Sequence, residues 1–410
     1  MTSPETASGH RPAPRPARAS AFTSPFQRLN ELLEPHAPGR APINLTIGEP
    51  KHAFPAFVGP VLAGALDGFG RYPPIKGTDD FRAAVGAWLE TRYGLAGRID
   101  PATMILPLNG SREGLFYAAI EARMATAKRI ADPAILFPNP FYQTYAAGAV
   151  ASGAEPVMLD AGPETGFLPD LDRVDPALLE RTVGVFFASP ANPQGAVASE
   201  AAWTRLIEHA RRYDFVLFAD ECYSEIYRST PVPGVLEAAA KTAGGFDRVV
   251  AFNSLSKRSN LPGLRCGFAA GDPAFLGRWL KFRNMAAPQV PGPIQAVAAA
   301  AYRDEAHVEE NRRLYNAKYA AAERILGTRY GYETPEGGFF LWLDVSAQGG
   351  GEAVALRLWR EAGVRVLPGG YLSAAGSDGT NPGEPYLRVA MVEDQAATEE
   401  ALARIVATLG

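Results

Sequence analysis

From residue 104 to residue 252 the chain alternates short apolar runs with stretches of helical character. The runs cover 104–108, 134–137, 156–159, 183–188, 215–219 and 248–252. Each is too short for a buried helix and is closed by Gly, Pro, Asn or a polar cluster, so each reads as a buried strand. The stretches 111–125, 142–152, 200–213 and 274–285 read as helices. Strand and helix alternating over this length specify an α/β layer fold with a mainly parallel sheet. In open parallel sheets, ligands bind at the carboxyl ends of the strands. The residues that follow each run are therefore the ones to read for chemistry.

The length of 410 residues makes two domains the natural expectation. Beyond about residue 300 the pattern changes to a long helix at 307–326, strands at 338–345 and 386–389, and a closing helix at 393–408. The Gly/Pro/Asn/Asp-rich segment 374–385 reads as a surface loop. The expected organisation is a tail at 1–20, a segment at 21–60 joining the small domain, a large domain at 61–300 and a smaller α+β domain at 301–410. Residues 1–20 are rich in Pro, Ala, Arg and Ser and lack an apolar element, so they read as disordered. Arg11, Arg15 and Arg18 resemble the basic residues of a transit peptide, but Glu5 and the prolines oppose a helix there.

Composition narrows the function. A formal net charge of −4 argues against a general nucleic-acid partner. No run of about 18 apolar residues occurs, so no membrane span is expected. Cys222 and Cys266 make no disulfide framework and suit a reducing cytoplasm. The five histidines form neither HExxH nor a Cys/His cluster, so no metal site is expected.

The run 248–252 leads into Ser254-Leu255-Ser256-Lys257-Arg258-Ser259-Asn260-Leu261-Pro262 and then Gly263-Leu264-Arg265. Two hydroxyls and an arginine fork suit a phosphate. Lys257, between them, is a candidate imine-forming amine once desolvation or neighbouring cations lower its pKa. A phosphate anchor beside such a lysine is what pyridoxal phosphate (PLP) requires.

The other strand ends add partners. Asn109-Gly110-Ser111-Arg112 opens a helix and offers N–H groups to an anion, although Ser111 could serve only as an N-cap. Pro138-Asn139-Pro140-Phe141-Tyr142 brings an aromatic that could stack on a planar ring, or could be a turn or core residue. Asn192, in Ser189-Pro190-Ala191-Asn192-Pro193-Gln194-Gly195, can donate to a phenolate oxygen or be a structural turn residue, and so tight an X-Pro turn suits a cis bond. Asp220 at a buried strand end needs a partner, and a protonated pyridine nitrogen is suitable. Tyr223 could reach the ring oxygen, while Glu221 and Cys222 read as structural. Arg388, flanked by apolar residues in a strand, matches an α-carboxylate or is an ordinary surface arginine.

Together these motifs resemble the PLP-dependent aminotransferases of fold type I, class I, from about Ile43 to the end. The resemblance implies a large domain with a mainly parallel seven-stranded sheet sandwiched by helices, plus a smaller α+β domain. It implies that Lys257 bears the cofactor and carries a proton between Cα and C4′. Asp220 would pair with the pyridine nitrogen, and Asn192 and Tyr223 would hold O3′. Gly110, Ser111, Ser254, Ser256 and Arg265 would form the phosphate cup, with Arg112 among the cofactor contacts. Tyr142 would stack on the ring, and Gly48, Asn192 and Arg388 would meet the substrate, Arg388 through its α-carboxylate. Tyr72 would reach the phosphate of a neighbouring subunit, which implies a homodimer with shared sites. The substrates would be an amino acid and a 2-oxo acid.

Within the family the chain resembles the succinyldiaminopimelate transaminases. The residues that carry this are Gly48-Glu49-Pro50-Lys51-His52, Pro138-Asn139-Pro140-Phe141-Tyr142, Asp220-Glu221-Cys222-Tyr223-Ser224-Glu225, the 254–265 stretch, Asp304-Glu305-Ala306-His307-Val308 and Val366-Leu367-Pro368-Gly369. A substrate with several carboxylates makes Lys51, Lys76, Arg112 and Arg258 candidate cations, each also readable as a solvated or capping residue. Ser111 stands where Thr is frequent, Gln194 interrupts Asn-Pro-Thr-Gly, Cys266 replaces a common Ser, and 284–291 departs from the pattern. Competing readings are a class I aminotransferase for aspartate, acetylornithine or an aromatic amino acid, and a PLP β-lyase. A PLP-binding regulatory module would carry a helix-turn-helix, which the sequence lacks.

Overall fold

A seven-stranded sheet runs in the order Ile105–Leu108, Gly267–Gly271, Val249–Ser254, Val216–Asp220, Thr182–Ala188, Ala134–Asn139, Glu155–Asp160. Gly267–Gly271 is antiparallel to both its neighbours, and every other pairing is parallel. The structure is a computed structural model describing residues 24–376 and 379–410; the segment 1–20 read as disordered lies outside the described residues. The six expected strands are present within a few residues of their expected limits. Gly267–Gly271 is an additional strand, unexpected because Gly-Phe-Ala-Ala-Gly has little strand propensity of its own. It is a strand because two ladders hold it on both sides. Gly267 and Gly271 suit that position, since a Cβ would meet Asn253 O at 2.3 Å and Val249 O at 2.1 Å.

The apolar runs are continuous because both sheet faces are buried. Along Val216–Asp220, Leu217 and Ala219 enter one core while Val216 and Phe218 enter the other. The first core is closed by helices Asp79–Tyr93, Glu200–Arg212, Val235–Ala240 and Gly292–Arg303. The second is closed by Ser111–Ala125, Gln143–Ala151 and Pro273–Ala286. Asp79–Tyr93 starts at Thr78, whose hydroxyl accepts from Phe81 N at 3.2 Å, and ends at Gly94 with φ 64°.

A separate core gathers Leu45, Tyr319, Leu326, Leu343, Val354, Leu358, Val389 and Leu402. Its three-stranded antiparallel sheet runs Leu367–Pro368, Tyr386–Ala390, Phe340–Asp344. The short strand Ile43–Asn44 pairs in parallel with Val364–Arg365, which brings the N-terminal segment to this unit. Helices Ala306–Leu326, Gly351–Ala362 and Gln395–Leu409 pack on it. We propose a domain division at Asp304, because helix Gly292–Arg303 packs on Asp79–Tyr93 and belongs with the large sheet. No helix among the described residues is long and apolar enough to cross a membrane.

Candidate active site

The carboxyl ends of the parallel strands face the seam between the two units, and both contribute side chains. Ser254 ends its strand and caps the short helix Leu255–Arg258, with its hydroxyl accepting from Ser256 N at 3.2 Å. The two hydroxyls of Ser254 and Ser256 are 3.0 Å apart. Lys257 is thus held on a rigid turn at a strand end. Its amine donates to Gly48 O, and its nitrogen lies 5.4 Å from the centre of the Phe339 ring. Burial lowers the Lys257 amine to about 8, with Arg388 and Arg265 adding to the effect and Cys222 and Glu49 opposing it.

Asp220 ends the neighbouring strand and is 9% exposed. Its carboxylate accepts from the Tyr145 phenol at 2.7 Å and from Cys222 N at 3.2 Å. Both donors are neutral, and Asp220 forms no ion pair among the described residues, so a cationic N–H would complete its surroundings. Tyr145 is stacked on Phe186 with centroids 4.7 Å apart, which fixes its phenol on Asp220. In sequence Tyr145 is one aromatic among several; its role depends on the fold of helix Gln143–Ala151 over the strand end.

Arg388 reaches the same place from the other unit. It is 4% exposed and donates to Thr46 O at 2.8 Å and to Asn192 Oδ1 at 3.2 Å. Among the described residues its Nε has no partner, and its guanidinium lies 4.4 Å from the centre of the Phe340 ring. Burial lowers Arg388 to about 10. Asn192 spends its carbonyl on Arg388, which leaves its amide free to donate. The Tyr223 phenol packs edge-on against Phe339 and Phe340, and burial pushes its pKa well above that of free tyrosine while Arg388 opposes. The bonds Asn139–Pro140, Ser189–Pro190 and Asn192–Pro193 are cis.

The anion cup is built by a close approach. Gly110 has φ 78° and precedes the fifteen-residue helix Ser111–Ala125. A Cβ on Gly110 would lie 2.2 Å from Arg265 Nη2, so glycine lets the guanidinium rest against the turn. Arg265 adopts φ 54° and donates to Pro262 O at 2.9 Å and Asn109 O at 3.3 Å. Pairing of Ser254 with Gly267 brings Arg265 back beside the two hydroxyls. Helix N–H groups, an arginine fork and two hydroxyls form a donor-rich set without a carboxylate, which suits a phosphate dianion. With Asp220 lacking a cation and Lys257 lowered by burial, the residues fit PLP.

The other expected contacts divide between paired and exposed side chains. Arg112 is exposed and donates to the Tyr142 phenol at 2.6 Å, so it steadies Tyr142. Arg258 does not line the pocket. It is 1% exposed, ion-paired with Glu305, bonded to Ala301 O at 2.8 Å and packed on Trp88 and Tyr302. Lys51 is ion-paired with Glu393, and Lys76 is exposed. Tyr72 is 95% exposed, near exposed Leu66 and Phe69 in the chain. Glu221, next to Asp220, turns away to accept from Tyr93 and Val235 N.

Comparison with known proteins places the chain in a family. The family described as Aminotransferase class I and II matches residues 40–405. The chain is 35% identical over 372 residues to 4-dedimethylamino-4-oxo-anhydrotetracycline transaminase OxyQ of Streptomyces rimosus, covering 90% of this chain and 92% of that protein. It is 29% identical over 392 residues to an LL-diaminopimelate aminotransferase of Syntrophobacter fumaroxidans, covering 93% and 95%. A crystal structure of an aminotransferase from Neisseria meningitidis Z2491 aligns with a TM-score of 0.89 at 37% identity, covering 95% and 98%.

Proposed function

The chain belongs to the class I and II aminotransferases, and on that premise we propose that it is a succinyldiaminopimelate transaminase. The proposed reaction is N-succinyl-LL-2,6-diaminopimelate plus 2-oxoglutarate giving N-succinyl-2-amino-6-oxopimelate plus L-glutamate. The family is PLP-dependent and moves amino groups between amino acids and 2-oxo acids. PLP supplies the electron sink that makes loss of the substrate Cα proton feasible. The observation that carries the aminotransferase chemistry is the convergence of Lys257, Asp220 and the buried, incompletely partnered Arg388. The motif set at 48–52, 138–142, 220–225, 254–265, 304–308 and 366–369 supports the succinylated substrate.

In this reading Arg388 binds the substrate α-carboxylate and so orients Cα toward Lys257. Lys257, with its amine lowered to about 8, would bear the cofactor and accept the proton that leaves the substrate Cα. The Asp220 carboxylate would hold the proton of the ring nitrogen. The Tyr223 phenol and the Asn192 amide would donate to O3′. Ser254, Ser256, Arg265 and the turn at Gly110 and Ser111 would hold the phosphate, and Tyr142 would cover the ring. Phe339 and Phe340 keep water from the reacting face. Lys76 and Arg112 are the remaining candidate contacts for distal carboxylates, since Arg258 and Lys51 are already paired. Exposed Tyr72 near Leu66 and Phe69 supports a homodimer in which Tyr72 completes the partner's phosphate site. Two buried free cysteines support a cytoplasmic location.

A second reading, LL-diaminopimelate itself as donor, is favoured by the relatives of that name. One half-reaction separates the two. The visible absorbance of the Lys257-bound cofactor is followed as N-succinyl-diaminopimelate, LL-diaminopimelate, acetylornithine or aspartate is added without an oxo acid. Fast bleaching by the succinylated donor at low concentration is expected. Bleaching by another donor but not by this one overturns the substrate and leaves the transaminase. Pyruvate and ammonia released from a cysteine-type amino acid without an oxo acid would indicate a β-lyase.

A further inference from the structure

One buried cation has no part in the chemistry above. Lys318, on helix Ala306–Leu326, is 2% exposed. Among the described residues its ammonium meets no carboxylate at hydrogen-bond distance; it donates to Met391 O at 3.1 Å and contacts His52 Nε2 at 2.7 Å. His52 Nδ1 lies 2.8 Å from Asn311 Oδ1. The Asn311 amide then donates to Lys257 O at 3.1 Å and Arg258 O at 3.3 Å.

Only one protonation pattern satisfies every member. An ammonium offers donors alone, so His52 Nε2 accepts. His52 Nδ1 then carries the proton and donates to Asn311 Oδ1, which aims Nδ2 at the two carbonyls. The contacts also close a ring. The Lys257 amine bonds Gly48 O, and His52 lies four residues further along that segment. From His52 the path returns through Asn311 to the carbonyl of Lys257 itself.

We propose that His52, Asn311 and Lys318 are positioning residues that lock the pocket segment 48–52 to the backbone of Lys257, holding the amine in register with the substrate site. The proposal rests on the reading of Lys257 as the cofactor-bearing amine. The groups facing His52 are Lys318, Glu310, Asn311 and the Tyr315 ring, with centroids 4.5 Å apart; Glu393 and Asp394 face Lys318. Burial, together with Lys318, keeps the His52 pKa below that of free histidine, against Asn311 and Glu310. A second proton on His52 would point Nε2–H at the Lys318 ammonium and open the relay. The relay is therefore intact at neutral pH and fails in acid.

The test uses full-length, cofactor-saturated enzyme and reads hydrogen exchange in the segments 45–52 and 254–261 beside kcat and KM. His52→Ala and Asn311→Ala should speed exchange in both segments by about tenfold, the consequence of stranding buried polar partners. They should lower kcat more than they raise KM. His52→Gln keeps one donor and one acceptor, so it should restore slow exchange and abolish its acid-induced acceleration. Exchange at 254–261 that is unchanged in His52→Ala, or that still accelerates in acid in His52→Gln, overturns the relay. Lys257→Ala separates the two readings: cofactor that borohydride still fixes covalently to this variant would sink the role of Lys257, whereas the exchange rates judge the relay independently.

Discussion

Replacing Arg388 by methionine should abolish most activity while leaving stability almost untouched. Burial lowers this arginine from 12.5 to about 10, and it stays charged at neutral pH. At about 1.4 kcal/mol per pH unit, holding that charge in the folded chain costs about 3–4 kcal/mol. Set against this are the bonds to Thr46 O and Asn192 Oδ1 and the Phe340 face. Together these contribute about 2–3 kcal/mol. The two sides nearly cancel, so Arg388→Met should leave Tm within about 2 °C of the parent. Losing the partner of a desolvated carboxylate costs about 2–5 kcal/mol, so kcat/KM for the amino donor should fall by about 30- to 5,000-fold. Thermal unfolding and the donor half-reaction are the assays. A fall in Tm beyond about 5 °C would show that the charge is compensated inside the protein. A loss of kcat/KM smaller than about tenfold would remove Arg388 from carboxylate binding.

Three further outcomes follow from the geometry. Cofactor-free protein should recombine with PLP at a rate that rises with pH and levels off above about 8, because burial lowers Lys257; a midpoint near 10.5 in stopped-flow absorbance would contradict this. Gly110→Ala forces a side chain into a φ of 78° and to 2.2 Å from Arg265 Nη2, so PLP affinity measured by titration should weaken about tenfold or more; an unchanged affinity would remove the cup. Glu221 is pushed up to about 7 by burial first, above the 4.5 of a free glutamate, so the folded chain holds its proton more tightly and loses stability as pH rises from 4.5 through 7. Glu221→Gln should then raise Tm by about 2–6 °C at pH 8 and change it little at pH 5, and equal shifts at both would refute the assignment.

Much of the site is legible in the sequence because its residues sit where strands end. Lys257, Asp220, Asn192 and the Gly110–Ser111 turn all follow apolar runs, and a parallel sheet must bring those ends to one edge. Local pattern therefore determined the α/β fold, the succession of the main strands along the chain and the identity of the polar residues at the edge. Other features depended on what packs against what. Gly267–Gly271 is a strand only because its neighbours supply the ladders. The helix Gly292–Arg303, rich in alanine, is buried on several sides between the large sheet and Asp79–Tyr93, a placement that only the packing decides. Arg258 and Arg265, seven residues apart, look equally suited to an anion in sequence. The turn at Pro262–Leu264 sends Arg265 back to Gly110, while Arg258 is drawn into the core to pair with Glu305. Tyr145 on Asp220, and Lys318 linked through His52 and Asn311 to Lys257, join residues up to 266 positions apart. The sequence by itself determined which groups could do the chemistry. Tertiary structure decided which are free to do it, because a charge is available to a ligand only where the fold has not already given it a partner.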